Sequence, residues 1–133
     1  MIEVELSRIV IDEERHEQVI VLKEKEGNKL LPIVIGLNEA LAVRMHLSGF
    51  KPPRPLTHDL MKSLLDSLDV ILEKVVIDKL VDSTFHAKLH LLTPQGKKIV
   101  DARPSDSIAL AVRTKSPLFV EEEVFEKLGE SSL

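Results

Sequence analysis

Two short segments hold the residue types that could do chemistry together: Leu56-Thr57-His58-Asp59 and Arg103-Pro104-Ser105-Asp106, with Arg54 just ahead of the first. Both fall where a polar turn gives way to an apolar helical pattern, so their side chains are expected at helix N-termini. An arginine, a histidine and two carboxylates gathered there would favour a phosphate group, held by the helix dipole and free N–H groups. Through the carboxylates Asp59 and Asp106, the same set could bind a divalent metal. A structural reading stands beside this one. Ser105 and Thr57 are good helix caps, Asp106 and Asp59 suit a first turn, and Arg103 could pair with Asp106 or Asp101.

An internal duplication separates these readings. Displace the chain so that Gly27 meets Gly96, and Lys29 meets Lys98 while Ala40-Leu41-Ala42-Val43-Arg44 meets Ala109-Leu110-Ala111-Val112-Arg113. Ile9-Val10-Ile11-Asp12 also resembles Val75-Val76-Ile77-Asp78. Identities recurring in one order point to two diverged copies of one unit. At that displacement Arg103-Pro104-Ser105-Asp106 stands opposite Val34-Ile35-Gly36-Leu37; beyond the units, matching the Pro55-Leu56 and Pro117-Leu118 pairs sets Leu56-Thr57-His58-Asp59 opposite Leu118-Phe119-Val120-Glu121. The scaffold accepts apolar residues at the first junction, so the charged ones call for a reason other than folding. Arg44 and Arg113 are shared by both copies and are assigned to the scaffold.

The elements that must position these groups are legible from periodicity. Val4 to Asp12, Gln18 to Lys25 and Leu30 to Ile35 read as strands, with a turn at Glu26-Gly27-Asn28. A helix capped by Asn38 follows, ending near Leu47 at Ser48-Gly49. The second copy repeats the order: Val70 to Val81, Phe85 to Leu92, a turn at Pro94-Gln95-Gly96, Lys98 to Ala102, then a helix capped by Ser105 to about Thr114. Lys51-Pro52-Pro53-Arg54-Pro55 forms a stiff linker into a helix at about 57–68, with Leu60, Met61, Leu64, Leu65 and Leu68 on one stripe. Leu118 to Val120 is a short strand, and Glu122 to Leu128 a last helix closed by Gly129. The expected fold is α+β: a duplicated strand-strand-strand-helix unit forming a mixed or antiparallel sheet with packed helices, one domain over residues 1–133 with repeats at about 4–47 and 70–114.

Composition narrows the chemistry. The chain is 44% hydrophobic and 30% charged, enough for a core and against disorder. It has no cysteine, which excludes disulfides, thiolate catalysis and cysteine zinc sites. No apolar run approaches the roughly 20 residues of a membrane span, and the acidic-apolar N-terminus is no signal peptide, so the cytoplasm is the expected location. A net charge of −4, no Trp or Tyr and four Phe argue against tight non-specific nucleic-acid binding. His86 and His90 share a strand face but lie about 13 Å apart, too far to share a metal. His16 is expected on an exposed turn, His46 late in its helix, and Glu121-Glu122-Glu123 in a first helical turn. Phosphate loops, dinucleotide fingerprints, nucleophile elbows and His-Glu-x-x-His helices are absent.

At Arg54-Pro55-Leu56-Thr57-His58-Asp59-Leu60, at Ala102 to Arg113, and in the Pro-Leu-Phe-Val-Glu segment beginning at Pro117, the chain resembles the bifunctional nuclease domain family. It looks most like small stand-alone bacterial members, and its high charge, few glycines and lack of cysteine suit a thermophilic one. The resemblance implies an α+β fold, homo-oligomers with a dimer favoured, and action on RNA or DNA. Its matching polar positions are Arg54, Thr57, His58, Asp59, Arg103, Ser105 and Asp106. The expectation for a nuclease is metal-assisted phosphodiester hydrolysis: Asp59 and Asp106 hold Mg²⁺ or Mn²⁺, His58 is the general base, and Arg54 and Arg103, with Thr57 and Ser105, steady the phosphate. No organic cofactor is implied. The alternative is a non-enzymatic homo-oligomeric module that binds an anionic small molecule or a protein partner at the same junctions.

Overall fold

A computed structural model describes residues 1–12 and 14–131. Its elements in order are β1 (Ile2–Asp12), β2 (Glu17–Glu24), β3 (Leu30–Ile35), α1 (Leu37–Leu47), α2 (Thr57–Ser67), β4 (Ile71–Val81), β5 (Thr84–Thr93), β6 (Gly96–Ala102), α3 (Pro104–Thr114), β7 (Leu118–Val120) and α4 (Glu122–Ser131). The strands form one sheet in the order β3-β2-β1-β7-β4-β5-β6. β1-β2-β3 and β4-β5-β6 are antiparallel meanders, each followed by a helix, as the duplication anticipates. β7 joins them, antiparallel to β1 and parallel to β4, so the sheet is mixed and the fold α+β.

Local chemistry explains the strands. In β3, Leu31, Ile33 and Ile35 are buried while Leu30, Pro32 and Val34 face out, the two-residue period of a sheet with one covered face. The β4–β5 hairpin turns through Asp82 and Ser83, both left-handed, as a two-residue hairpin loop requires. Gly49 takes a positive φ just past α1, where an L side chain would be strained.

The core joins Ile20, Leu22, Leu31 and Ile77 of the sheet to Val43, Ile108, Leu110 and Val124 of the helices. Each such aliphatic side chain contributes about 1.5–3 kcal/mol on burial. α3 is the central helix. Ile108, Ala109, Leu110 and Ala111 are buried in succession, and α3 packs on α1, α2, β4 and β5. Its alanines and serines let those neighbours approach closely. Among the described residues no helix is long and apolar enough to cross a membrane.

Four expected caps are corrected. Leu56 caps α2 in place of Thr57, which is the first helical residue, and Asp59 Oδ2 accepts from Leu56 N–H. Gly36 caps α1, and Asn38 lies inside its first turn. Arg103 occupies the cap position of α3, because Pro104 is pre-set for the first helical residue and draws the start back from Ser105. α4 runs through Gly129 to Ser131, since Val124, Phe125 and Leu128 anchor it on the core and Gly129 adopts no positive φ. The leucine stripe of α2 also divides. Met61 and Leu65 pack on the core, while Leu60, Leu64 and Leu68 remain exposed.

Candidate functional site

The first residues of α1, α2 and α3 meet around one cleft of about 820 Å³. Asn38 and Glu39 come from α1, Thr57 and His58 from α2, and Arg103 and Asp106 from the start of α3. Each start is fixed locally. Ala40 N–H bonds Gly36 O at 3.0 Å, Leu60 N–H bonds Leu56 O at 2.9 Å, and Ser107 donates both its N–H and its hydroxyl to Arg103 O at 3.0 and 2.8 Å. Residues from the first turns of three helices therefore share one cleft wall, with Leu41, Ala42 and Met45 of α1 along its side.

A chain of charged groups crosses the cleft wall. His58 Nε2 lies 3.0 Å from Asp106 Oδ1. Arg103 donates from Nε and Nη2 to Asp106 Oδ2 at 3.1 and 2.9 Å, and from Nη2 to Glu39 Oε1 at 3.1 Å. The His58 side chain is 8% exposed and that of Arg103 66%, so the imidazole is held inside while the guanidinium reaches solvent. Burial pushes the Asp106 carboxyl up, but the hydrogen bonds from His58 and Arg103 outweigh it and hold the group below its ordinary range. The Arg103 cation is reinforced by its hydrogen bond to Asp106, then by Glu39.

With Nε2 donating to Asp106, the lone pair of His58 lies on Nδ1. Nδ1 has no hydrogen-bond partner among the described residues and is not a fully enclosed atom. A carboxylate fixing the tautomer of an imidazole whose other nitrogen is free is the arrangement of a general base.

The expected site residues do not all gather here. His58, Asp106, Arg103 and Thr57 line the cleft. Asp59 does not. Its Oδ1 accepts from Arg113 Nε at 2.7 Å and its Oδ2 from Leu56 N–H at 3.0 Å. Those two bonds, Arg113 first, hold its carboxyl below the ordinary value. Asp59 thus ties the start of α2 to the buried Arg113, which also donates to Ala109 O at 2.8 Å and Ala42 O at 3.1 Å. Its repeat counterpart Arg44 is exposed. Ser105 is buried and opens on a neighbouring hollow of about 390 Å³, and Arg54 is exposed on the linker outside the cleft lining. Among the described residues no group of three or more His, Asp and Glu side chains is arranged to hold a metal ion.

Glu39 was missed by the sequence reading. The signal was available, because the same alignment that sets Asp106 against Leu37 sets Glu39 against Ile108.

Comparison with known proteins gives a consistent result. The family model described as "Bifunctional nuclease domain" matches residues 20–132. An "uncharacterized protein" of Mycobacterium tuberculosis, found in two strains, is 41% identical over 127 residues, covering 96% of this chain and 76% of the relative. "Bifunctional nuclease 2" of Oryza sativa subsp. japonica is 30% identical over 115 residues, covering 83% of this chain and 35% of that protein. "Bifunctional nuclease 2" of Arabidopsis thaliana is 30% identical over 105 residues, covering 76% of this chain and 32% of that protein. The chain thus spans about a third of the length of the plant nucleases it matches.

Proposed function

This chain belongs to the bifunctional nuclease domain family, and we propose that it hydrolyses phosphodiester bonds of RNA or DNA in the cleft where α1, α2 and α3 begin. The observation that supports this most is the His58–Asp106 pair at 3.0 Å with Arg103 beside it, set where three helix N-termini converge. The helix ends and the exposed guanidinium of Arg103 receive the phosphate. His58 Nδ1 takes the proton from a water attacking phosphorus, the ester P–O bond breaks and its leaving oxygen takes a proton from solvent, and Asp106 keeps the imidazole in the tautomer that can act as base. Arg103 faces the charge that grows on the phosphoryl oxygens, with the Thr57 hydroxyl beside it. In this reading Arg54, exposed on the linker leading to α2, meets a phosphate further along a bound strand.

A metal enters this reading in a reduced form. Of the two carboxylates expected to hold Mg²⁺ or Mn²⁺, Asp59 is committed to Arg113, and Asp106 faces the cleft with Oδ1 engaged by His58 and Oδ2 by Arg103, so an ion there would have to share those oxygens. One carboxylate with water and phosphate oxygens suits such an ion, which would supply charge neutralisation at the phosphoryl group. The roles of His58, Asp106 and Arg103 are derived without it.

One observation favours a second reading, a module that binds an anion without turnover. The guanidinium of Arg103, 66% exposed at the start of α3, can hold an anion with no further group taking part. Labelled single-stranded RNA and DNA, incubated with the purified protein in Mg²⁺, Mn²⁺ or chelator, separate the two. Cleavage is expected, and His58→Ala should slow it about 10²–10⁴-fold, the usual contribution of a general base. Binding without cleavage under every condition would replace the nuclease reading with the second.

A further inference from the structure

The sheet has two free edges, and they are built differently. β3 carries Pro32 inside a ladder unbroken from Leu30 to Ile35, so the missing N–H must lie on its free side, and that edge is blunted. β6 has no proline, and all of it except Ala102 is exposed. From this contrast we propose that β6 is a self-association edge: two copies of this chain pair their β6 strands antiparallel about a two-fold axis through Ile99.

The backbone fixes which residues can pair. Thr93 and Gly96 face each other at the end of the β5–β6 hairpin, and Pro94 between them has no N–H. Thr93 and Gly96 must therefore exchange their own N–H and C=O groups. Alternation along an antiparallel ladder then turns Gly96, Lys98, Val100 and Ala102 toward β5 and leaves the backbone groups of Lys97, Ile99 and Asp101 facing outward. Centred on Ile99, a second copy satisfies all three. Ile99 meets Ile99, and Lys97 meets Asp101 at both ends.

Charge selects that register over its neighbours. A slip of two residues keeps the hydrogen-bond phase but sets Lys97 or Asp101 against Ile99, which is 62% exposed and apolar. The Ile99-centred register alone makes two opposite-charge cross-strand pairs and one aliphatic pair. Lysines commonly guard an edge by repelling a second one. Here Lys97 and Asp101 sit symmetrically about Ile99 with opposite sign, so a two-fold copy turns repulsion into attraction. Asp101 already pairs with Lys88 at 3.1 Å but its side chain stays 77% exposed, so Lys97 of a second copy would add to an existing pair. Two-fold pairing through one self-complementary patch is the commonest route to a dimer.

Sedimentation equilibrium of the full chain tests this across micromolar concentrations. A monomer–dimer equilibrium is expected. Lys97→Asp should weaken it about tenfold or more, because both cross-strand pairs become repulsive. In a Lys88→Ala background, which removes the lysine that Asp101→Lys would otherwise face, the double variant Lys97→Asp/Asp101→Lys should restore it, and thermal melts check that each variant folds. Ile99→Pro, which removes an outward N–H and leaves the β5 ladder intact, should abolish it. A chain monomeric throughout, a dimer indifferent to Lys97→Asp, or a double variant that fails to recover would each overturn the proposal. The last two outcomes would turn attention to the exposed Leu60, Leu64 and Leu68 of α2.

Discussion

Arg113 and Asp59 form the tightest ion pair that joins two of the helices, with Nε 2.7 Å from Oδ1 and the arginine side chain 3% exposed. The pair fastens the start of α2 to the far end of α3, and so holds His58, one residue before Asp59, against Asp106. Asp59, expected to act on substrate, thus belongs to the frame that positions His58.

Arg113 and Arg44 are repeat counterparts with opposite environments, and their substitution should show it. Arg113→Ala leaves Asp59 unpaired and removes donors from Ala42 O and Ala109 O, so a loss of about 3–5 kcal/mol is expected. Arg44→Ala, at an exposed position, should stay within about 0.5 kcal/mol. Urea unfolding measures both, and equal losses would refute the assignment of Arg113 to the frame.

Acid should weaken the fold through two named groups. Asp59, chiefly through Arg113, and Asp106, where His58 and Arg103 outweigh burial, both sit below the ordinary carboxyl value of 3.8. A depressed native value means that the unfolded chain binds protons more tightly. The stabilisation is therefore fully present above the ordinary value and is lost as pH falls through it toward the native values. Unfolding free energies followed from about pH 5 to about pH 2 should fall, and Asp59→Asn or Asp106→Asn should flatten the slope. An unchanged slope in both variants would contradict the pairing.

The two carboxylates around Arg103 should temper its attraction for anions. Removing one charge by Glu39→Gln should tighten inorganic phosphate binding several-fold, whereas Arg103→Ala should weaken it about tenfold, the scale of one charge-assisted hydrogen bond. Titration calorimetry reads both. If Glu39→Gln weakened binding instead, Glu39 would be acting by orienting the guanidinium.

His58 and Asp106 should behave as one catalytic unit. Asp106→Asn retains a polar partner but no longer holds the imidazole with a carboxylate, so cleavage is expected to fall about 10²–10⁴-fold. Combining it with His58→Ala should cost no more than His58→Ala alone, because the aspartate acts through the histidine. Losses that multiply in single-turnover measurements would assign Asp106 a separate role.

Much of this molecule was legible beforehand because the signals are local. Alternation in Leu30 to Ile35 marked a strand with one covered face, Gly49 marked a helix end, and the self-similarity of two segments marked two meanders each followed by a helix. Such features depend on neighbours within a few residues, which a sequence displays directly. The helix caps were read less well, because Pro104 competes with Ser105 for the same start and only the folded backbone shows which prevails.

The segment Ala-Leu-Ala-Val-Arg occurs in both α1 and α3, and by itself it determined helix, apolar face and arginine twice over. Tertiary structure alone decided that α3 lies at the centre, packed on α1, α2 and the sheet, so that Arg113 is buried and must find a carboxylate, while α1 lies outside and Arg44 meets water. The same placement gave Asp59 to Arg113 and left Asp106 to His58. The reason is physical. A buried charge must be paired wherever it lies, and which arginine becomes buried depends on contacts between residues far apart in the chain.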